Sequence, residues 1–273
     1  MISRRERVAN YVIAGIFVLI VGLPLIGMLL AALQPPSRTV TGLGVPQSLE
    51  FGNFITAWET GGFGRALLNS VIVAVSVILL SGVLSVLAGF ALGIMRFRGS
   101  QAIFYLFIAG LVLPIEAFII PLYFDLRTIG LTNTYLAIIL PEAALFLSFG
   151  VFWMRAFFRA VPKELIEAAQ VDGATSAQLL WRILVPVGKP AIVTMVLLMG
   201  MWSWNEFLIP LIMIRDLHLR TAPLGLSYFE GQWVTDVSGV AAGALIVAAP
   251  MILLYMFVHR QLIRGVLAGA IDG

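Results

Sequence analysis

Residues Val161–Pro190 read VPKELIEAAQVDGATSAQLLWRILVPVGKP, a polar stretch in an otherwise apolar chain. The stretch is too charged to cross a bilayer, and apolar runs flank it on both sides. Pro162 suits the first turn of a helix, where its missing N–H costs nothing. Lys163 to Val171 then predict a short helix. Gly173 suits the position just past its end, where left-handed backbone is easiest for glycine. Thr175 and Gln178 have the spacing of a capping box for a second short helix, running to about Val185. Pro186 limits its continuation, and Pro190 opens the next apolar run. Two short helices joined at a glycine and lying at the membrane surface form a knuckle that another protein can grip. The alternative is an amphipathic linker resting on lipid headgroups.

Outward from this stretch, composition sets the class. The chain has 273 residues, of which 60% are hydrophobic and 11% charged. Soluble domains carry about 25% charged residues. This is the composition of a polytopic membrane protein, and the length suits one bundle, a single transmembrane domain over 1–273. There are no cysteines, hence no disulfide and no thiolate metal site. The net charge of +3 does not indicate nucleic acid. The basic residues belong to membrane topology instead.

An all-α fold of six transmembrane helices is expected, with spans at about 11–33, 66–95, 102–124, 135–153, 190–214 and 237–258 and the polar loop at 161–189. The first run is too long for the apolar core of a cleavable signal, about 7–15 residues, and is read as a retained span. Ser81, Ser85, Gly89 and Gly93 recur at four-residue steps in the second span. Such a small-residue face lets another helix approach closely, and packing inside the subunit is the expected use. Pro114 and Pro121 should kink the third span. Six spans put both termini on one side. Arg4, Arg5, Arg7, Arg96, Arg98, Arg155, Arg159, Lys163, Arg182, Lys189, Arg260 and Arg264 fall on the side of the termini. Arg38, Arg65, Arg127, Arg215 and Arg220 fall on the other, so 12 of the 17 basic residues mark the cytoplasmic face. The termini and the polar loop are therefore expected in the cytoplasm.

Few residues could carry chemistry. Gly188-Lys189-Pro190 is a near miss to a phosphate loop, without the earlier glycine or the Ser/Thr for magnesium. His218 and His259 fall at opposite faces of the membrane and cannot share a metal. No catalytic constellation and no metal site is expected. Three acids lie inside apolar runs: Glu116, Glu142 and Glu206. Intramembrane ionisable groups are costly and usually face a bundle interior or a water cavity. Glu116 and Glu142 follow Pro114 and Pro141 and could serve backbone N–H groups near a kink. Trp202-Ser203-Trp204-Asn205-Glu206 falls near the middle of the fifth span, away from the aromatic belts at the headgroups. Aromatic rings at Trp202 and Trp204 suit the C–H face of a sugar, and Asn205 and Glu206 suit its hydroxyls. Core packing, with the polar pair bonded to a neighbouring helix, is the alternative.

Glu167-Ala168-Ala169, followed by Asp172-Gly173 and then Ile183 and Pro186, resembles the EAA signature of membrane subunits of bacterial ABC importers. Val185 stands where that pattern usually has leucine. Trp204-Asn205-Glu206-Phe207-Leu208 with Pro210-Leu211 is similar to the fifth span of carbohydrate permeases of the maltose type, in particular the smaller of the two subunits. Asn69-Ser70, Phe97-Arg98-Gly99, Pro121-Leu122-Tyr123, Gly130-Leu131, Thr134-Tyr135 and Pro162-Lys163-Glu164-Leu165 agree, so the resemblance covers nearly the whole chain. It implies that the EAA loop is a coupling helix docking into a cleft on a cytoplasmic ATPase. It implies a bacterial inner-membrane permease with a second homologous permease, two ATPase subunits that bind ATP and magnesium, an extracellular solute-binding protein and a sugar substrate. This chain itself would bind no cofactor. The end of the chain, with Arg264, Gly265, Gly269, Ala270 and Gly273, is similar to a tail that reaches between the ATPases, although Asp272 replaces the usual lysine. Two rivals stay open: a permease for a phosphorylated polyol such as glycerol 3-phosphate, and an ion-coupled secondary transporter using the three glutamates.

Overall fold

Apolar side chains without alternation, set between polar turns, leave the backbone one way to satisfy its own hydrogen bonds in a bilayer, and that is helix. The computed structural model describes residues 4–35, 44–46, 48–229 and 236–270, with backbone alone at Tyr228 and over 258–270. Among the described residues the secondary structure is helical throughout. The helices are α1 (Arg4–Ala32), α2 (Gly52–Thr60), α3 (Phe63–Gly93), α4 (Ser100–Val112), α5 (Ile119–Thr128), α6 (Leu136–Ala160) and α7 (Lys163–Val171). They continue as α8 (Ser176–Gln178), α9 (Val185–Val187), α10 (Lys189–Asn205), α11 (Leu208–Met213), α12 (Ala222–Gly225) and α13 (Val237–Ala270).

Four of these are long and apolar enough to cross a membrane among the described residues: α1, α3, α6 and the Val237–Phe257 part of α13. A bent pair, Ser176–Val187 with Lys189–Asn205, allows a fifth. The expected six uninterrupted spans are thus not all present as single helices. The third apolar run stops at Val112: Leu113 and Pro114 are extended, Ile115–Ala117 form one tight turn, and α5 begins afresh at Ile119. Residues preceding a proline are driven out of helical backbone, which explains a break at Leu113 where only a kink was expected. Pro121 lies in the first turn of α5, where a proline costs little, so it does not kink the helix. The fifth run breaks too, at the extended Glu206, between α10 and α11.

Two compact units divide the chain: 1–65 with 225–250, and 66–224 with 251–273. In the first, Asn53 donates to the carbonyls of Ala32 (2.8 Å) and Gln34 (2.7 Å), satisfying acceptors that the end of α1 leaves open. Phe63 stacks on Phe229 at 6.3 Å. Helix α1 exposes apolar side chains along most of its length, as a lipid-facing helix does.

The second unit holds two apolar cores. One gathers Val73, Val77, Ile119, Ile138, Ile209 and Met213. The other gathers Phe90, Met154, Phe158, Leu184, Met195 and Met199. The small-residue face of α3 packs within this unit, as expected. Ser81 and Ser85 are fully buried and return their hydroxyls to the carbonyls of Val77 and Ser81. A Cβ on Gly89 would stand 2.5 Å from that of Met154, and one on Gly93 would stand 3.1 Å from that of Phe158. Gly150 on α6 answers with the same device, since its Cβ would collide with Ser85. Helices α3 and α6 therefore meet backbone to backbone, which fixes the platform on which the polar knuckle sits.

A second set of polar side chains ties loops at the other end of α3. Asn69 donates to the carbonyls of His218 and Arg220, both at 2.8 Å, and accepts from the Tyr135 hydroxyl at 2.7 Å. Asn133 adopts the left-handed region (φ 62°) and accepts from the backbone of Arg215 (3.0 Å) and Asp216 (2.8 Å).

Candidate functional site

The polar knuckle forms as its capping residues dictate. Helix α7 runs over Lys163–Val171 and ends with Asp172 donating to Ala168, Gly173 to Gln170 and Ala174 to Ala169. Gly173 takes φ +75°, the conformation that glycine adopts at no steric cost. Thr175 then caps the second helix in both directions: its N–H donates to Gln178 Oε1 (2.8 Å), and its Oγ1 accepts from the Gln178 N–H (3.3 Å). That helix continues past the expected Val185 to Val187, with a wider-wound stretch over Leu179–Leu184.

At Gly188 the chain turns by 78° into α10. Gly188 is itself buried, and a Cβ there would lie 2.6 Å from the ring of Phe157 and 2.9 Å from the Leu184 carbonyl. This requirement was absent from the sequence reading, which used Gly188 only as part of a failed phosphate-loop match. The signal available was a glycine between an amphipathic segment and an apolar run.

The knuckle has two faces. Ala169, Leu179, Leu180 and Leu184 are buried in the core with Phe90, Met154 and Phe158. Glu167, Ala168, Asp172, Gly173 and Pro186 are exposed, and Ile183 is half-buried. A Cβ at Gly173 would touch nothing within 4 Å. The EAA residues are therefore split, with Ala169 an anchor and Glu167 and Ala168 on offer to the outside. Val171 is 88% exposed and Trp181 50% exposed, an unusual outlay of apolar surface on a polar segment.

The Trp202–Glu206 cluster ends α10 rather than sitting within a continuous helix. Trp202 is partly exposed and packs edge-on against Phe149 at 4.7 Å, with Phe146 at 5.7 Å. Trp204 is buried. Asn205 donates to the Met201 carbonyl at 2.7 Å, closing the last turn of its own helix. Glu206 accepts from the Ile209 N–H at 3.1 Å and so caps the start of α11. A carboxylate suits the orphan N–H groups of a helix start.

Glu142 is fully buried on α6 and accepts from Ser203 Oγ at 2.5 Å, joining the fourth and fifth apolar runs. Its second oxygen, Oε1, has no hydrogen-bond partner among the described residues. Ser203 is the residue whose role the sequence left unmarked, although it lies within the quoted cluster. Glu116 is exposed, on the turn between α4 and α5, and is not brought to Glu142 and Ser203 by any contact. Arg264, Gly265, Gly269 and Ala270 continue the backbone of α13, and Gly273 lies outside the described residues. Among the described residues no cluster of His, Cys, Asp and Glu could hold a metal ion.

Comparison with solved structures finds the same fold in a bacterial ABC transporter involved in the import of the acidic polysaccharide alginate. The TM-score is 0.78 over 95% of this chain and 98% of that one, at 21% identity. Among curated proteins, the chain is 33% identical to the probable ABC transporter permease protein YurM of Bacillus subtilis, covering 96% of this chain and 88% of the relative. It is 31% identical to the arabinooligosaccharides transport system permease protein AraQ of Halalkalibacterium halodurans, covering 92% of this chain and 91% of the relative. It is 29% identical to the trehalose transport system permease protein SugB of Mycobacterium tuberculosis, over 92% of each. Residues 83–267, which include the knuckle, the α10–α11 break and most of α13, match the family described as the inner membrane component of binding-protein-dependent transport systems. The chain belongs to that family.

Proposed function

We propose that this chain is one transmembrane permease subunit of an ABC importer for a sugar or oligosaccharide. The observation that carries the reading is the knuckle, an anchored Ala169 beside an exposed Glu167, Ala168, Asp172 and Gly173, on a 78° elbow into α10. Such a part transmits a push from outside the membrane into a span. Its partner would be one of two ATPase subunits in the cytoplasm, where ATP and magnesium bind; this chain binds neither. Both termini and the knuckle then face the cytoplasm, in keeping with the basic asymmetry. The resemblance of the end of the chain assigns the Arg264–Ala270 segment to contact with the ATPases. A second homologous permease completes the pathway as one transmembrane domain pairs with another, and an extracellular binding protein delivers the substrate.

Mechanism follows from these parts. Closure of the ATPase dimer moves the knuckle as a unit, because its buried face is part of the α3–α6 core. The elbow at Gly188 carries that movement into α10, whose far end holds Trp202 and the break before α11. The cavity between the two permeases changes its opening there. The partly exposed Trp202, backed by Phe149 and Phe146, offers an aromatic face of the kind that C–H groups of a sugar ring prefer. Trp204 is buried and does not offer its ring to the same face. Asn205, Glu206 and the free oxygen of Glu142 supply polar atoms near the same break. Glu116, exposed at the break in the third run, is assigned to the same pathway only by its position in an apolar run.

The substrate class is favoured by relatives described as permeases for arabinooligosaccharides and trehalose. A phosphorylated polyol would need a cation, and no Lys or Arg lies between Lys189 and Arg215. The broken third and fifth runs are a feature that ion-coupled transporters also use, but membership of the binding-protein-dependent family favours ATP. The test is uptake of labelled oligosaccharide by proteoliposomes holding the full complex and binding protein. Uptake should persist when a protonophore collapses the proton gradient and stop when ATP is replaced by a non-hydrolysable analogue. Uptake abolished by the protonophore and indifferent to the analogue would refute the reading.

A further inference from the structure

We propose that the cavity where α3, α4, α6 and α7 meet is a binding site for the phosphate headgroup of an anionic phospholipid. The cavity has a volume of about 1320 Å³. Arg96, Arg98, Arg155, Arg159 and Lys163 line it, with Glu167 the one acid among the lining residues. None of Arg96, Arg98, Arg159 and Lys163 has an ion-pair or hydrogen-bond partner among the described residues. Basic residues at the ends of spans are ordinary topology determinants. These differ in being gathered around one concavity, and in the treatment of Arg155.

Arg155 is held in place from two sides. Its guanidinium lies over the Phe104 ring at 3.6 Å from the centroid, and its Nε–H donates to the Leu92 carbonyl at 3.1 Å. The ring takes the flat face, and the carbonyl takes one donor. The two terminal amino groups keep their donors, in a fork that matches two oxygens of a phosphate. The fold has thus already ordered a long side chain that a ligand would otherwise have to order.

The remaining wall indicates what kind of phosphate. Phe90, Ile94 and Phe158 line the same cavity, and Tyr105 and Leu106 of α4 are exposed, at 58% and 73%. A soluble anion gains nothing from apolar walls. A phospholipid meets cations with its headgroup and apolar side chains with its acyl chains, and basic pockets between membrane helices bind such headgroups. The cations outnumber the charges of a single phosphate, so a lipid with two phosphates, as in cardiolipin, is the better fit than phosphatidylglycerol. Glu167, on the rim, would then link lipid occupancy to the exposed face of the knuckle.

The experiment uses the intact importer complex, delipidated in steps and examined by native mass spectrometry, then reconstituted in nanodiscs of cardiolipin, phosphatidylglycerol or phosphatidylcholine. Anionic lipid should stay bound longest, cardiolipin ahead of phosphatidylglycerol. The R96Q/R98Q/R159Q variant, which leaves Arg155 in its packed position, should retain it less by about fivefold for each cation removed. R96K/R98K/R159K should restore retention, and R127Q on α5 should leave it unchanged. Equal retention in wild type and R96Q/R98Q/R159Q would overturn the site, as would equal loss in the lysine variant. Release of the lipid by millimolar inorganic phosphate, with no difference between anionic and zwitterionic nanodiscs, would reassign the cavity to a soluble anion and overturn the lipid proposal.

Discussion

Gly173→Leu should leave the chain inserted in the membrane and abolish most of its transport. Gly173 sits at φ +75°, and an L-residue held there costs roughly 1–2 kcal/mol. Because a Cβ would meet nothing in this chain, the cost inside the subunit is conformational and not a clash. A leucine side chain would instead project from the exposed face, between the knuckle and whatever docks on it. Two substitutions separate these effects. Gly173→Asn tolerates the left-handed region and adds modest bulk. Gly173→Ala carries the strain with almost no bulk. Uptake in proteoliposomes should fall in the order Gly, Asn, Ala, Leu, with a loss of roughly fivefold or more for alanine from strain of this size and a larger loss for leucine, whose bulk adds to the same strain. Wild-type, binding-protein-stimulated uptake by the leucine variant would show that nothing docks closely at this turn.

A second large effect is expected in the membrane. Intrinsic helix propensity favours alanine over glycine by about 1 kcal/mol, so Gly82→Ala and Gly89→Ala on α3 should both stabilise if nothing else mattered. Packing splits them. At Gly82 the nearest atom to a new Cβ is Val196 Cγ2 at 3.9 Å, an ordinary contact. At Gly89 the new Cβ meets Met154 Cβ at 2.5 Å, the Arg155 N at 3.0 Å and the Met154 carbonyl carbon at 3.1 Å. Backbone and Cβ atoms cannot rotate out of the way, so α3 and α6 must separate. Overpacking of this kind costs about 1–3 kcal/mol. Thermal unfolding of the purified chain in detergent, followed by size-exclusion recovery, should show Gly82→Ala at or above wild type and Gly89→Ala clearly below it. Equal melting of the two would mean that α3 and α6 do not meet at Gly89.

Gly173 and Gly89 also mark how far the sequence could be read. The turn at Gly173 was legible because its signals are local: a proline start, a glycine stop and a Thr-x-x-Gln box within one short stretch. The small-residue face of α3 was legible as a period, and its use inside the unit followed from ordinary packing. The partners were not legible, since Met154 and Ser85 could be named only once the helices were brought together. The breaks at Leu113 and Glu206 were missed for a different reason. Hydropathy treats an apolar run as one span whether or not its backbone is continuous, and Pro114 and Pro121 look alike in sequence although one ends a helix and the other begins one. The pairing of Glu142 with Ser203 needed two runs 61 residues apart to be in register, which no local pattern encodes. Trp202 and Trp204, equal in the sequence, are separated by the structure into an exposed ring and a buried one.

The claim that matters most is that the exposed face of the knuckle touches an ATPase. The chain has no cysteine, so Ala168→Cys introduces a single thiol beside the buried anchor Ala169. The complex carrying it, in inverted membrane vesicles, should be treated with a short thiol–amine cross-linker with and without nucleotide. A product combining the mass of this chain with that of one ATPase subunit is expected, with a yield that changes on nucleotide binding. Efficient labelling of the same thiol by an impermeant reagent from outside intact cells, with no such product, would contradict it.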